Sequence, residues 1–437
     1  MISDFFRNYE YTMSINVLLI GSGGREHTLA WGIAKSPLLK KLYTAPGNPG
    51  TESLGENVNL DVSDHAAVLD FVRSNDIDLT VIGPEQPLVE GIADVLENAG
   101  HKVFGPKQQA AMLEGSKEFA KDFMARNAIP TAAYKVFDQD NFDEAAEYIK
   151  SQNSYPVVLK ADGLAGGKGV LIPESEEEAM NALTELKSGS LSDAASRLVI
   201  EEFMVGEEAS VFAICDGDSY KIIGNAQDHK RAGGGDTGLN TGGMGAYSPA
   251  PIVTEKLLER TEIEIIKPTI DGMKAEGYPY TGFLYVGLMI TEEGPKVVEY
   301  NCRFGDPECQ VIIPSLQTDL LEVLIACTEG KLSESEITFD DQYRCTVVLA
   351  SGGYPQAYEK GKEITGVDEA DALIFHAGTR SEDGKLLTNG GRVLNVVGSG
   401  STLKEAIDAS YASVEKITFD KMYYRRDIGA KGLKRIG

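Results

Sequence analysis

The sequence predicts a multidomain α/β and α+β protein that begins with a doubly wound parallel sheet. Three observations carry this. A chain of 437 residues is too long for one ordinary core, so two to four domains are expected. Over the first 130 residues, short apolar runs alternate with helix-like stretches, the pattern of a parallel sheet with crossover helices. The blocks that follow carry longer strands and end in a small α+β segment.

The first strand is the β-branched run 15–20, closed by Gly21-Ser22-Gly23-Gly24, and a helix follows over 25–35. Runs at 41–44, 57–60, 79–82 and 102–104 supply further strands, with helices near 64–75, 87–99 and 107–127. This domain is placed at 14–133. Residues 1–13 form a short extension without the apolar segment of a signal peptide. A second block, 134–205, has strands near 157–160, 169–172 and 198–201 and a helix over 174–187. A third, 206–340, has strands at 210–215, 281–290 and 296–301. The last, 341–437, has strands at 345–350, 372–376 and 392–398, then a helix over 403–416.

Lys plus Arg number 41 against 67 Asp plus Glu, a net charge of −26, which repels nucleic acid and anionic membrane. No apolar run approaches a membrane span. Five cysteines without a CxxC spacing read as reduced thiols of a cytoplasmic protein, and the five histidines form no metal-binding pair. An anionic substrate would therefore need a locally basic, Gly-rich pocket.

Several motifs fit that need. The turn at 21–24 resembles a dinucleotide fingerprint, but Glu26 stands where its third Gly belongs, and the second strand ends in Thr44-Ala45-Pro46-Gly47 rather than an acid. Both features argue against NAD. Phosphate binding on free N–H groups at the helix start stays open beside a plain tight turn. Gly83-Pro84-Glu85-Gln86-Pro87 and Gly47-Asn48-Pro49-Gly50 end strands at the same edge, where α/β sheets bind ligands. Lys160 closes an apolar strand and leads into Asp162-Gly163-Leu164-Ala165-Gly166-Gly167-Lys168-Gly169, which is no Walker A loop yet suits a lid over polyphosphate. Glu201-Glu202-Phe203-Met204 and Glu207-Glu208 suit an adenine hinge and ribose contact, or an acidic turn. Glu299 and Asn301, two apart on a strand, share a face and offer hard oxygens to Mg²⁺, and Arg303 continues that face. Gln227-Asp228-His229-Lys230-Arg231 runs into the Gly-rich loop 233–246 as a basic patch.

In order, the strings GSGGREH, APGNPG, GPEQPL, LKADGLAGGKGV, QDHKR, DTGLNTGGMGAYSP, EYNCRFGDPE and TNGGRVL resemble the phosphoribosylamine–glycine ligase family of the ATP-grasp superfamily, from about residue 15 to the end. The resemblance implies ATP-grasp central domains with ATP between the block 134–205 and the sheet of 206–340. Lys117, Lys160, Gly167, Lys168, Glu201, Phe203, Met204, Glu208 and Lys230 would bind ATP, and Glu299 and Asn301 would hold Mg²⁺ or Mn²⁺. Gly23, Gly24, Gly83, Pro84, Glu85, Asn240, Arg303 and Asp306 would hold glycine and 5-phosphoribosylamine, with Lys160, Arg303 and Asp228 as catalytic groups. Many relatives in the superfamily carry a further metal-binding acid where Gly287 stands, which leaves the number of metals open.

The implied reaction begins with attack of the glycine carboxylate on the γ-phosphorus, giving glycyl phosphate and ADP. The ribosyl amine then displaces phosphate. A cytoplasmic monomer is expected, with a weak dimer as the alternative. Another ATP-grasp ligase, a Rossmann oxidoreductase and a non-catalytic nucleotide sensor are the competing readings. The first would lack QDHKR and GDPE, the second fails at Glu26 and Ala45, and the third could dispense with Lys160, Glu299 and Asn301.

Overall fold

The computed structural model describes residues 14–164, 169–187 and 197–437. The expected extension 1–13, and Gly167 and Lys168 of the expected lid, lie outside them. The first sheet contains β1 (Ile15–Gly21), β2 (Leu39–Pro46), β3 (Glu56–Asn57), β4 (Leu79–Ile82) and β5 (Lys102–Phe104), ordered β3-β2-β1-β4-β5 and parallel throughout. Its central strand β1 is apolar on both faces because helices cover both, as parallel sheets require. The reversal of strand order puts the ends of β1, β2 and β4 beside one another.

Two expected helices are each broken. The stretch 87–99 divides into Glu85–Val89 and Ile92–Asn98, because Gly91 adopts φ +89° between them. The stretch 107–127 divides at Ser116, which is extended and caps the helix Lys117–Arg126 by accepting the Phe119 N–H. The strand expected at 57–60 shortens to Glu56–Asn57.

The second block is a four-stranded antiparallel sheet ordered β6-β9-β7-β8. Its strands are β6 (Tyr134–Asp138), β7 (Val157–Ala161), β8 (Val170–Leu171) and β9 (Arg197–Glu202). The helices Phe142–Gln152 and Glu176–Lys187 pack on it through Ile149, Leu183 and Leu186. Next come β10 (Glu207–Asp216), β11 (Tyr220–Asp228), a small ribbon of β12 (Arg231–Gly233) and β13 (Thr237–Asn240), β14 (Gly245–Ser248), β15 (Thr281–Ile290) and β16 (Pro295–Asn301). The final segment adds β17 (Tyr343–Ser351), β18 (Leu373–His376), the hairpin of β19 (Thr379–Glu382) and β20 (Lys385–Thr388), β21 (Arg392–Gly400) and β22 (Met422–Tyr423).

These last two segments share one nine-stranded sheet. Its order is β16-β15-β10-β11-β14-β17-β21-β18, with β22 added against β17. The antiparallel β14–β17 pair joins them, with Ala246 opposite Thr346. The helix Leu403–Val414, begun by a Thr402–Glu405 capping box, covers the C-terminal part of this sheet. The first sheet docks on the large one through apolar side chains, with Phe104 of β5 edge-on to Phe283 of β15 at 4.8 Å. That docking brings the rim of the first sheet against the turn after β16.

Candidate active site

Lys160 on β7 and Glu201 on β9 belong to paired strands, and the lysine Nζ lies 2.9 Å from Glu201 Oε1. Lys121, one turn beyond Lys117 on the same helix face, reaches the other oxygen at 3.1 Å. Lys160 also donates to Val298 O on β16, and Lys121 to Thr131 Oγ1, which itself donates to Val297 O. The trio is nearly closed to solvent and carries two ammonium groups for one carboxylate. Burial lowers Lys121 to about 8, although Glu201 pulls the other way. A buried trio with net charge +1 is costly unless an anion joins it. Glu201, expected at an adenine hinge, thus commits its side chain to the two lysines. Lys121 was missed; its four-residue spacing from Lys117 was the available signal.

The start of that helix is tied to the second block. Asp162 accepts the Lys117 N–H at 2.6 Å, the Glu118 N–H and the Ser116 hydroxyl, while Lys117 Nζ donates to Gly163 O. A carboxylate at a helix N-terminus answers unsatisfied N–H groups and the positive helix end. Burial, the largest influence on Lys117, lowers its ammonium below the usual lysine range.

On the large sheet, Lys230 stands between Glu208 at 2.8 Å and Glu299 at 3.5 Å. Burial raises Glu299, but Lys230, Lys160, Arg303 and Lys117 outweigh it and hold the carboxylate below its usual range. Gly287 pairs with Glu299 across β15–β16, so no third acid faces the Glu299–Asn301 row from that position. Asp228 and Glu308 are both raised, chiefly by burial, and each is raised further by neighbouring carboxylates. The expected basic patch is smaller than its sequence suggests. Gln227 is buried on Glu208 O, and His229 is buried, lowered to about 4 chiefly by burial, with neither ring nitrogen hydrogen-bonded among the described residues.

The three loops of the first sheet meet as expected. Asn48 Nδ2 donates to Ser22 O at 2.8 Å and to His376 O of β18 at 2.9 Å. Glu26 folds under the turn: it accepts the Gly23 N–H at 2.6 Å and pairs with Arg25 at 2.6 Å. A Cβ at Gly83 would fall 2.3 Å from Glu26 Oε1, and one at Gly21 2.3 Å from its Cγ. Glu26 therefore fills the space that a dinucleotide fingerprint leaves open. The N–H groups of this helix start are not all free, because Glu26 takes that of Gly23 and Asp306 Oδ2 takes that of Arg25. Gly24 serves packing: a Cβ there would lie 2.4 Å from Asn395 Nδ2 and 2.6 Å from Gln310 Nε2.

Pro84 leads into the short helix that carries Glu85. Arg303 donates from Nε to Glu85, from Nη2 to Glu114 and from Nη1 to Phe304 O. Burial raises Glu85, but Arg303 and Arg25 outweigh it and bring the carboxyl down to about 2. Asp306 is raised by burial yet held low by Arg392 and Arg25. Arg392, also missed from the sequence, donates to the carbonyls of Gly242 and Asp306 at 2.6 Å.

The fold therefore brings together Lys117, Lys160 and Glu201 in one cluster, and Glu208, Lys230 and Glu299 in a second. Gly23, Gly83, Glu85, Arg303 and Asp306 line the rim. Phe203 is exposed and Met204 half-buried after β9. Asn240 stands exposed on the β12–β13 ribbon, and among the described residues no side-chain hydrogen bond ties it to the rim. Arg425 pins that ribbon through Arg231 O and Asp236.

A small antiparallel sheet facing a larger one, with strand-end lysines and a Glu-x-Asn row between them, defines an ATP-grasp ligase. The chain matches the phosphoribosylglycinamide synthetase N domain over residues 15–114, its ATP-grasp (A) domain over 115–309 and its C domain over 344–431. It is 53% identical over 424 residues to a phosphoribosylamine–glycine ligase of Mesorhizobium japonicum, covering 96% of this chain and 99% of that one. The crystal structure of phosphoribosylamine–glycine ligase from Thermotoga maritima superposes with a TM-score of 0.82 at 38% identity, covering 95% of this chain and all of the other. A biotin carboxylase domain from Hydrogenobacter thermophilus shares the fold at 16% identity and a TM-score of 0.72, covering 94% and 91% of the two chains.

The chain belongs to the phosphoribosylamine–glycine ligase family, whose activity is ATP-dependent ligation of glycine in purine biosynthesis. Ligases of this fold use ATP with a divalent metal ion. Among the described residues, no helix is long and apolar enough to cross a membrane.

Proposed function

We propose that this chain joins glycine to 5-phosphoribosylamine through glycyl phosphate, with ATP lying between the β6–β9 sheet and the large sheet. The observation that carries the reading is the convergence of Lys230, Lys160, Arg303 and Lys117 on Glu299, in a chain whose net charge is −26. So much local positive charge has a physical reason if polyphosphate binds there. Lys117 and Lys160 would meet the phosphates, Phe203 and Met204 the adenine, and Glu208 the ribose. Glu201 acts through the lysines that it holds.

The residues fit a divalent cation. Glu299 and Asn301 place two hard oxygens on one strand face, and the Lys230 ammonium already stands 3.5 Å from Glu299. No group of three or more His, Cys, Asp or Glu forms a metal cluster among the described residues. That suits Mg²⁺, or Mn²⁺, sharing two protein ligands with phosphate oxygens better than a cage made by protein alone. When bound, the ion supplies neutralisation of phosphate charge.

The chain's own residues do the rest. The rim formed by Gly23, Gly83, Pro84, Glu85, Arg303 and Asp306 orients the two small substrates, beside the Gly-rich loop that includes Asn240. Lys160 and Arg303 stabilise charge that develops as the glycine carboxylate attacks the γ-phosphorus and ADP leaves. The amine then attacks the acyl carbon and phosphate departs. Asp228, its acidity weakened by burial, accepts the proton that the amine sheds. We place the enzyme in the cytoplasm as a monomer. ADP release from ATP and glycine, measured with and without phosphoribosylamine, tests the reading. Turnover that needs neither small substrate would sink it.

A further inference from the structure

We propose that the Nε–Nη2 edge of Arg392 is a seat for an oxyanion of one small substrate, the phosphate of phosphoribosylamine or the carboxylate of glycine. This rests on the ligase reading above. Arg392 opens β21 in the C-terminal segment, yet its side chain reaches the rim. Nη1 donates to Gly242 O and Asp306 O at 2.6 Å, lies 3.5 Å from Gly243 O and stands 3.2 Å from Asp306 Oδ1. Among the described residues, every partner of the guanidinium is on that one nitrogen. Nε and Nη2 have no protein acceptor among the described residues, and the side chain is 21% exposed. Parallel N–H groups along one guanidinium edge match two oxygens of a carboxylate or phosphate.

The neighbouring arginines leave less. Arg25 puts Nε on Glu26 and Nη1 on Phe304 O, and only 9% of its side chain is exposed. Arg303 uses all three nitrogens on Glu85, Phe304 O and Glu114. Arg25 is paired with Glu26 and Arg303 with both Glu85 and Glu114, whereas the pairing of Arg392 with Asp306 engages Nη1 alone. A second observation concerns Gly242, which is exposed. A Cβ there would sit 3.0 Å from Arg392 Cζ and Nη2 and 3.3 Å from Nε, along the unpaired edge. The backbone at Gly242 is not left-handed, so the turn itself does not require glycine. An empty face beside an unpaired guanidinium edge has a reason if an anion enters there.

Two variants test the seat in the full chain. Arg392→Lys keeps the charge and a donor for the Gly242 and Asp306 carbonyls but loses the fork. Gly242→Ala keeps Arg392 and crowds the edge. For each, KM is measured for ATP, glycine and phosphoribosylamine, and calorimetry follows binding of ribose 5-phosphate and of glycine. Both variants should raise KM for one small substrate about tenfold, with ATP changed less than about twofold. A loss confined to phosphoribosylamine and ribose 5-phosphate assigns the seat to phosphate; a loss confined to glycine assigns it to carboxylate. Full rescue by Arg392→Lys would show that the arginine only braces the loop, and would overturn the proposal. So would unchanged constants in both variants, or a rise shared equally by ATP. If the unsubstituted chain does not ligate, the functional reading fails, and the two calorimetric titrations still decide the seat.

Discussion

Between β7, β9 and β16 two lysines share one carboxylate, whereas at the rim of the first sheet Arg25 has one carboxylate and Arg303 has two. The lysine cluster retains net positive charge in a place closed to water. The rim is close to neutral before any substrate arrives. The difference follows from the side chains. An ammonium is a point charge on a flexible stem and can move from Glu201 to a phosphate, whereas a guanidinium held by a fork of hydrogen bonds fixes the loops around it.

The comparison breaks most sharply at Glu299, where the lysine cluster meets the metal row. Glu299→Gln should reduce ligation by roughly 10²–10³-fold with the fold intact, because a neutral amide brings no negative charge to the cation and does not balance Lys230. Near-normal turnover at ordinary Mg²⁺ would show that the metal row lies elsewhere.

The rim should fail first in acid. Burial holds His27 at about 3, with His376 adding to the effect, and holds His376 at about 4. Both lie below the ordinary imidazole value of 6.5. The unfolded chain therefore binds protons that the fold refuses as pH falls below 6.5. The contribution of the two histidines to stability is complete above that pH and should fall by on the order of 6 kcal/mol toward pH 4. Urea midpoints at pH 7 and pH 4 measure this, and His376→Gln should flatten the dependence. Equal slopes in both proteins would remove His376 from the explanation.

A smaller effect separates the two regions by substrate. A Cβ at Gly23 would lie 2.9 Å from Glu26 Oε2 and 3.3 Å from Asp306 Oδ2. Gly23→Val should raise KM for phosphoribosylamine about tenfold while leaving that for ATP nearly unchanged. The reverse pattern would make the first sheet a nucleotide site. Circular dichroism and the thermal midpoint need checking first.

The smallest expected change sharpens the charge argument itself. Lys121→Met leaves Glu201 and Lys160 as a neutral pair, so the fold should stand while Lys160 is held back from ATP. KM for ATP should rise about fivefold with the small substrates unaffected. A fall in all three affinities would mean that Lys121 merely supports the helix.

Much of the fold was legible where burial is uniform. The strands Leu79–Ile82, Lys102–Phe104 and Thr281–Ile290 match their expected bounds because their apolar runs report directly on a buried sheet. Tyr134–Asp138 was not legible, since four of its five residues are exposed or half-buried. Tyr220–Asp228 carries Gly224 opposite a register shift in β10–β11, which interrupts its pattern. The Glu299–Asn301 row and the three Gly loops could be read because spacing alone puts them on one face or one rim. The pairing of Lys121 with Glu201, and the reach of Arg392 to Gly242 and Asp306, depend on contacts across 80 and 150 positions, and no local pattern encodes them. Glu26 was read as a missing glycine; its use as the filler of the turn emerged only when Gly21 and Gly83 were seen against it.

The continuous sheet from β16 to β18 has a consequence for anyone dividing the chain. Residues up to 340 resemble a self-contained catalytic piece, but cutting there would strip β17 from the whole length of β14. Bared N–H and C=O groups along Gly245–Ser248, beside the apolar Met244, Ala246 and Tyr247, would form a sticky edge that pairs with other molecules. A shortened protein should therefore accumulate as inclusion bodies. Solubility would return only if the missing strands were supplied, even as a separately expressed fragment that zips back onto the open side.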